Sequence, residues 1–357
     1  MAQRLVSCRI ALLAIWIVAA PMVAASPQRS PCVPPAGTKL VEFRSGDNVL
    51  RGFIDLPAGT GRHPAIMLIH GGADTDVTAD VDYWKEMRTA FRRAGIATLA
   101  WDKAGNGCSS GSYSSRLLPI QERATEALAA LEILKRRADI DPTRIGLWAL
   151  SQGGWVAPMV AVRSPSIAYL IVVSGPGRDA LSLGLYPAIH VLREAGVSGP
   201  EADAAYWTLR RSLAVLRAGG TAEESAAVTA PLRKYPALQK AYGLDAATAE
   251  SIRVLLEQPE WSIDASVFLE QLHRPTLAIF GERDAVVDWR ESMTVYRNSF
   301  ARSGHRDLTI KTFPEADHEM VPPASARRVG STVVEGYLET MIEWLAARNF
   351  TGKPLTP

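Results

Sequence analysis

Short apolar runs alternate with amphipathic stretches along most of this chain. Continuous apolar runs of this length predict strands buried on both faces, at residues 65–70, 96–101, 144–150, 167–173 and 276–280. A hairpin is predicted from 39–44 and 48–56, a last strand at 307–312, and helices at 82–94, 119–138, 152–163, 288–301 and 331–348. The last helix carries Val334, Leu338, Met341 and Leu345 on one stripe. This alternation predicts an α/β fold with a mainly parallel sheet covered by helices on both faces.

One stretch, residues 178–272, interrupts the alternation. It contains no convincing strand, is rich in Ala, Leu, Arg and Glu, and is punctuated by glycines. We interpret it as several short helices inserted into a core formed by 38–177 and 273–350. An insertion placed over the ends of sheet strands acts as a cap in many folds. A purely structural helical subdomain is the alternative.

The N-terminus has the pattern of a signal peptide. Arg4 and Arg9 precede the apolar run 10–20, and small residues end at Ala25. Residues 1–25 are therefore predicted to be cleaved, with an uncleaved anchor as the alternative, and the Pro- and Ser-rich residues 26–37 read as a linker. The mature protein is expected to be periplasmic or secreted, without stable membrane insertion.

Composition narrows the class of partner. Of the 357 residues, 47% are hydrophobic, which is typical of a globular protein. The chain has 39 basic and 37 acidic residues, and without Arg4 and Arg9 the two counts are equal at 37. Nucleic acids and anionic membranes require clustered positive charge, so neither is an expected partner, and a small acyl substrate is favoured.

Two cysteines, Cys32 and Cys108, remain after the predicted signal peptide. Export permits a disulfide between them, and two independent thiols are the alternative. No CxxC or Cys/His spacing indicates a metal site, so neither a metal nor a cofactor is expected.

The strongest chemical signal is Ser151, within the run LWALSQGG at 147–154. A predicted buried strand ends, the serine follows at once, and a helix begins. This context is that of the nucleophile elbow, G-x-S-x-G, with Ala149 in place of the first glycine and Gly153 in the second position. The turn is sharp, so it requires small residues around the serine. A serine that only caps the helix is the alternative.

A loop after the third strand supplies candidate oxyanion donors. Residues 69–73 read IHGGA, and glycines there leave backbone N–H groups free to face a cavity. One donor is expected from Gln152, the residue after the serine, and the other from Gly72, with Ala73 as the alternative. His70 closes a buried strand and is interpreted as structural.

A base and an acid are expected downstream of the serine. His318 lies in a loop after the last strand, whereas His63, His190, His273 and His305 lie in less suitable places. Asp284 follows the strand at 276–280, which gives the chain order Ser, Asp, His that this architecture requires. The competitors for the acid are Asp288, Asp317 and Glu282.

These segments together resemble the α/β-hydrolase superfamily, and more narrowly its secreted bacterial esterase and serine-aminopeptidase-like branch. The resemblance is carried by IHGG at 69–72, WDKAGNGCSSG at 101–111, GLWALSQGGWVAP at 146–158, FGERDAVVD at 280–288 and ADHEM at 316–320. It covers about residues 40–348 and implies a cap after the sixth strand. Ala104 stands where the branch usually has an arginine, so this loop is expected to be held differently, with Asp102 and Lys103 in structural roles.

The expected activity is hydrolysis of carboxylic esters through an acyl-enzyme, with Ser151, His318 and Asp284 as catalytic residues. A peptidase acting on short peptides or aminoacyl amides is the alternative, with Glu223 and Glu224 as possible anchors for the peptide amine. A second alternative is a binding protein that keeps the fold without chemistry.

Overall fold

The computed structural model describes residues 32–79, 81–114, 118–326 and 331–352. The predicted signal peptide and residues 26–31 of the predicted linker lie outside these residues. Within the described ranges, no helix is both long and apolar enough to cross a membrane.

One eight-stranded sheet organises the chain, in the order β1-β2-β4-β3-β5-β6-β7-β8. Pairing is antiparallel between β1 and β2 and between β2 and β4, and parallel everywhere else. The strands are β1 Lys39–Ser45, β2 Asn48–Asp55, β3 His63–Ile69, β4 Ala97–Trp101, β5 Ile140–Leu150, β6 Ile167–Val173, β7 Thr276–Gly281 and β8 Leu308–Phe313. The mainly parallel α/β sheet predicted from the apolar runs is confirmed.

Helices lie between the strands along the chain. They are α1 Asp82–Arg93, α2 Ile120–Lys135, α3 Gly153–Arg163, α4 Ala180–Leu183, α5 Pro187–Glu194, α6 Gly199–Arg217, α7 Ala222–Thr229, α8 Pro236–Tyr242, α9 Ala246–Leu256, α10 Ala265–Leu269, α11 Trp289–Ser303 and α12 Tyr337–Ala346. Short 3-10 helices lie at Ala230–Lys234, Pro259–Ser262 and Ala324–Ala326. The central strands are apolar on both faces because helices such as α1, α3 and α12 pack against them.

The predicted last helix starts too early. Helix α12 begins at Tyr337 rather than at 331, because Gly336 adopts a left-handed conformation with φ of 80°. Before it, the Glu86 carboxylate accepts hydrogen bonds from the Ser331 hydroxyl at 2.8 Å and the Thr332 N–H at 2.8 Å. These bonds hold the segment outside the helix, so Val334 packs against the core from a loop.

The described residues cluster into two compact units. The sheet unit includes α1–α4, α10, α11 and α12, and the helical unit comprises Gly184–Gln258 with α5–α9. The helical unit is therefore narrower at both ends than the predicted insertion 178–272. Its own small apolar cluster contains Leu216, Ala222 and Ala249.

A disulfide joins Cys32 to Cys108, with their Cα atoms 5.6 Å apart. The sequence left this pairing open, because 76 positions separate the two cysteines. Cys108 is buried in the loop after β4, where its N–H donates to Asp102 Oδ2 at 3.1 Å. The bond therefore ties the segment before β1 to that loop.

Removal of this disulfide should destabilise the protein. The Cys32→Ala/Cys108→Ala variant is expected to lose about 2 to 4 kcal/mol of unfolding free energy, because the bond closes a long loop in the unfolded chain. Chemical denaturation of the variant and the oxidised parent measures this difference. A reductant should shift the midpoint of the parent but not that of the variant, and equal midpoints for the two oxidised proteins would contradict the prediction.

Candidate active site

Ser151 lies at a sharp turn between β5 and α3. Its φ of 55° is in the left-handed region, which non-glycine residues seldom adopt. Its N–H donates to the Val173 carbonyl at 3.0 Å, and its carbonyl accepts from Gly154 N–H at 2.7 Å. Ser151 is partly exposed, although the residues on both sides of it are buried. Sheet and helix thus hold the strained serine at a partly exposed position.

The glycines after Ser151 are required by close backbone approach. A Cβ atom on Gly153 would lie 2.8 Å from the Ile69 carbonyl oxygen, and one on Gly154 would lie 2.5 Å from Gly175 Cα. Ala149 is fully buried. The turn forms with Ala149 in place of glycine, so the departure from the usual motif does not remove the elbow.

His318 and Asp284 are hydrogen-bonded, with 2.8 Å between His318 Nδ1 and Asp284 Oδ2. The other carboxylate oxygen of Asp284 accepts the N–H groups of Val286 at 2.8 Å and Val287 at 2.9 Å. The Asp284 side chain is fully buried, whereas that of His318 is 18% exposed. Backbone N–H groups therefore hold one oxygen of the Asp284 carboxylate, and the other oxygen is bonded to the imidazole of His318.

The surroundings of His318 favour its protonated form. Burial lowers the pKa of His318, but attraction to Asp284 and their hydrogen bond, with smaller contributions from Glu319 and Asp317, outweigh burial. The pKa of His318 is consequently raised above its ordinary value. An imidazole in this environment is a stronger base than free histidine.

The sheet places the three residues at one edge. Ser151 follows β5, Asp284 follows β7 and His318 follows β8, and these strands run parallel with β6 between β5 and β7. The carboxyl ends of parallel strands lie at the same edge of the sheet, where ligands of such folds bind. The structure thus joins Asp284 to His318 directly and places Ser151 at the same edge.

The competing acidic residues have other structural partners. Asp288 is the N-cap of α11 and accepts the Glu291 N–H at 3.1 Å. Asp317 accepts backbone N–H groups within its own turn. Glu282 accepts the Thr312 hydroxyl at 2.8 Å. Asp284 is the carboxylate that contacts His318.

The loop after β3 lies against the elbow. A Cβ atom on Gly71 would lie 3.3 Å from Ser151 Cβ, and one on Gly72 would lie 3.5 Å from Gln152 Nε2. Within the described ranges, the backbone N–H groups of Gly72, Ala73 and Gln152 donate to no acceptor. All three candidate donors named from the sequence therefore remain available beside the serine.

His70 lies at the start of this loop and is 3% exposed. Its ring packs edge-on against Trp84, with 4.5 Å between ring centroids. Burial, followed by repulsion from Lys103 and Arg123, lowers the pKa of His70 to about 3. His70 is neutral at physiological pH and packs as a core residue, in agreement with its structural interpretation.

The loop after β4 is held by carboxylates and the disulfide. Asp102 Oδ1 accepts the Val77 N–H at 2.8 Å, and Glu126 Oε1 accepts the Ala104 N–H at 3.0 Å. Gly107 has a φ of 44°, and a Cβ atom there would lie 2.0 Å from Asp102 Oδ2. A backbone contact from Ala104 to Glu126 is thus among the bonds that hold this loop.

Sequence reasoning missed Arg123 and Tyr113. Arg123 on α2 is 4% exposed, and it donates to Gln152 Oε1 at 2.6 Å and to the His70 carbonyl at 2.5 Å. The Tyr113 hydroxyl donates to the Gly72 carbonyl at 2.7 Å. A signal for Arg123 existed, because it shares the buried face of α2 with Ala127. Tyr113 lies in a loop and had no comparable signal.

The eight-stranded sheet and the strained serine that follows its central strand define an α/β-hydrolase. The family model described as serine aminopeptidase, S33, matches residues 61–322, and the chain belongs to this family. The expected α/β-hydrolase superfamily is confirmed.

Individual relatives match a smaller part of this chain than the family model does. The thiohydrolase apmlB of Arthrinium phaeospermum is 31% identical over 134 residues, which are 37% of this chain and 41% of the relative. The esterase EstD of Thermotoga maritima is 27% identical over 139 residues, 37% of this chain and 31% of the relative. The curated relatives are matched over 31% to 53% of their length.

An esterase of Pyrococcus furiosus has a similar structure, with a TM-score of 0.55 and 16% sequence identity. The match covers 87% of this chain and 90% of that one. At this identity the likeness shows the shared fold.

Proposed function

We propose that this protein hydrolyses carboxylic esters by acyl transfer to Ser151. The observation that carries the proposal is the buried Asp284 hydrogen-bonded to His318 at the sheet edge where the strained, partly exposed Ser151 lies. A serine hydroxyl is a weak nucleophile at neutral pH and requires such a base. The raised pKa of His318 fits this role.

In the proposed reaction, His318 takes the Ser151 hydroxyl proton while the serine oxygen bonds to the ester carbonyl carbon. Asp284 holds the imidazole in one tautomer and stabilises the imidazolium that forms. Backbone N–H groups of Gln152 and of Gly72 or Ala73 stabilise the oxyanion. His318 then protonates the leaving alcohol, and water attacks the acyl-enzyme by the same route to release the acid.

An ester is favoured over a peptide by the state of the proposed amine anchors. Glu224 participates in the cap of α7, where its Oε2 accepts the Thr221 N–H at 2.8 Å. Its carboxylate is explained by helix capping, and Glu223 belongs to the same first turn. A relative is named an esterase, and the family description names an aminopeptidase, so both substrates belong in the test.

Export is part of the proposal. The sequence at 1–25 has the features of a signal peptide, and a disulfide between Cys32 and Cys108 is stable in an oxidising compartment. The proposed substrate is accordingly a small acyl ester met outside the cytoplasm.

Two assays on the purified protein test the proposed function. Labelling by a fluorophosphonate should modify the native protein and should fail after heat denaturation. A panel of p-nitrophenyl esters of increasing acyl length is expected to be turned over faster than matched aminoacyl p-nitroanilides. A preference for the anilides would replace the esterase by a peptidase, and absence of both labelling and turnover would favour a binding protein.

A further inference from the structure

Three side chains donate hydrogen bonds to the backbone of the loop formed by residues 70–73. We call Arg123, Lys103 and Tyr113 the anchoring cluster. Arg123 and Lys103 are 4% and 1% exposed, and the Lys103 ammonium lies 4.2 Å from the centre of the Tyr113 ring. In the described residues neither cation forms an ion pair within 4.0 Å. Buried cations usually have a carboxylate partner, so their alternative partners need an explanation.

Those partners are the carbonyl groups of the loop. Arg123 donates to the carbonyls of His70 at 2.5 Å and Gly71 at 3.2 Å. Lys103 donates to the Gly71 carbonyl at 3.0 Å and to the Ala73 carbonyl. Tyr113 donates to the Gly72 carbonyl at 2.7 Å. Four successive carbonyls are therefore held by the cluster.

The orientation of the carbonyls decides that of the N–H groups. In a planar trans peptide, the C=O of one residue and the N–H of the next point in opposite directions. The Gly71 carbonyl points to the cluster, so the Gly72 N–H points away from it. The Gly72 carbonyl points to Tyr113, so the Ala73 N–H likewise points away. The cluster thus turns both candidate donors of the loop outward.

Arg123 also contacts Gln152, whose backbone N–H is the other candidate oxyanion donor. Its Nη1 donates to Gln152 Oε1 at 2.6 Å as well as to the Gly71 carbonyl. Gln152 directly follows Ser151 and offers its backbone N–H. One guanidinium therefore connects the loop after β3 to the elbow after β5. Its fixed planar fork suits this task, because the donors cannot rotate independently.

We propose that Arg123 is a positioning residue that sets the spacing of the two oxyanion donors, with Tyr113 fixing the orientation of the loop. The inference rests on the proposed acyl-transfer function. Arg123 contacts carbonyls and an amide oxygen rather than the reacting atoms, so its effect passes through Gln152 and Gly72. It should act on the transition state, where the oxyanion exists, more than on substrate binding.

Steady-state kinetics of Arg123→Met and Tyr113→Phe on a p-nitrophenyl ester test the inference. The first variant is expected to lose about 100-fold in kcat, since a small misplacement of donors has an effect of this size. The second, which removes one hydroxyl from a partly exposed ring, should lose about 10-fold, as expected for one hydrogen bond. KM should change by less than about 3-fold in both, because ground-state binding makes little use of the donors.

Affinity for an alkyl trifluoromethyl ketone supplies a second readout. Ser151 adds to the ketone carbon, its proton passes to His318, and the hemiketal oxyanion occupies the donors. Its inhibition constant should rise in parallel with the loss of kcat. Fluorophosphonate titration counts the active sites in each sample. If Arg123 had a purely structural role, Arg123→Met would contain less folded protein, but kcat and the inhibition constant per active site would not change in parallel.

Arg88→Met is the matched control. Arg88 is also 4% exposed, but it lies on α1 beside Asp55 and Phe53. Its variant should lose stability and keep kcat. Unchanged kcat and ketone affinity in Arg123→Met would overturn the inference, and if that variant does not fold, unchanged values in Tyr113→Phe would do so. Absence of turnover and labelling in the parent protein would instead overturn the proposed function itself. Failure of the inference about Arg123 and failure of the proposed function therefore give different results.

Discussion

Replacement of Ser151 by alanine is expected to lower kcat for ester hydrolysis by about 10⁵-fold or more, the size of effect found when a serine nucleophile is removed. The hydroxyl oxygen forms the bond to the acyl carbon in the proposed reaction, and no other group can replace it there. Alanine keeps the small volume that the turn at φ of 55° requires. The variant should therefore fold normally, and it should also lose fluorophosphonate labelling.

Ser174 offers a matched control for Ser151. It follows β6 as Ser151 follows β5, and its φ of 48° is similarly left-handed. Its side chain is fully buried, however, and in the described residues its hydroxyl has no hydrogen-bond partner. Ser174→Ala should keep activity within about 3-fold and gain stability of about 1 kcal/mol, because it removes an unsatisfied buried hydroxyl.

The outcome for Ser151 is read from two measurements on the same samples. Circular dichroism and thermal unfolding should coincide for Ser151→Ala and the parent, while turnover of a p-nitrophenyl ester should differ. Retained turnover by a properly folded Ser151→Ala would remove the serine from the mechanism. Equal losses in Ser151→Ala and Ser174→Ala would show that the turnover depends on the sheet edge in general.

The sheet was predictable because its signal is local. The runs around β3, β5 and β6 are apolar on both faces. Such a short continuous apolar run is typical of a strand in a parallel sheet that is covered on both faces. The pairing of Asp284 with His318 was predictable for a related reason, since strand order constrains which loops meet. The apolar periodicity predicted the wrong start for α12. Gly336 and the contacts of the preceding segment with Glu86 determine where this helix begins.

The anchoring cluster shows what sequence patterns omit. Arg123, Lys103 and Tyr113 come from a helix and the loop before it, and their shared partners are backbone carbonyls of a distant segment. Backbone acceptors have no residue identity, so no spacing or motif reveals such contacts. The disulfide between Cys32 and Cys108 was likewise open until the fold brought both cysteines together.

Replacement of Asp284 by asparagine should lower kcat about 10⁴-fold, as expected when the residue that orients a catalytic imidazole loses its charge. Asparagine can still accept the N–H groups of Val286 and Val287 through its oxygen. Its NH₂ group then faces His318 Nδ1 and donates to it. The imidazole proton is consequently placed on Nε2, the nitrogen that must accept the serine proton.

The pH profile distinguishes this effect from simple misfolding. His318 must be neutral to act as a base, so the rate rises with pH through its pKa. Asp284 contributes to raising that pKa, whereas burial lowers it. In Asp284→Asn the charge attraction is lost and burial remains, so the acid limb of the remaining activity should move to lower pH.

Asp288→Asn is the control that makes the Asp284 prediction specific. Asp288 caps α11, and asparagine caps helices nearly as well, so rate and stability should both stay near those of the parent. Rates of ester hydrolysis between pH 5 and 9 for the three proteins measure the effect. A large loss in Asp288→Asn with activity retained in Asp284→Asn would assign the orienting carboxylate to the start of α11, and an acid limb that stays in place in Asp284→Asn would separate His318 from the reaction.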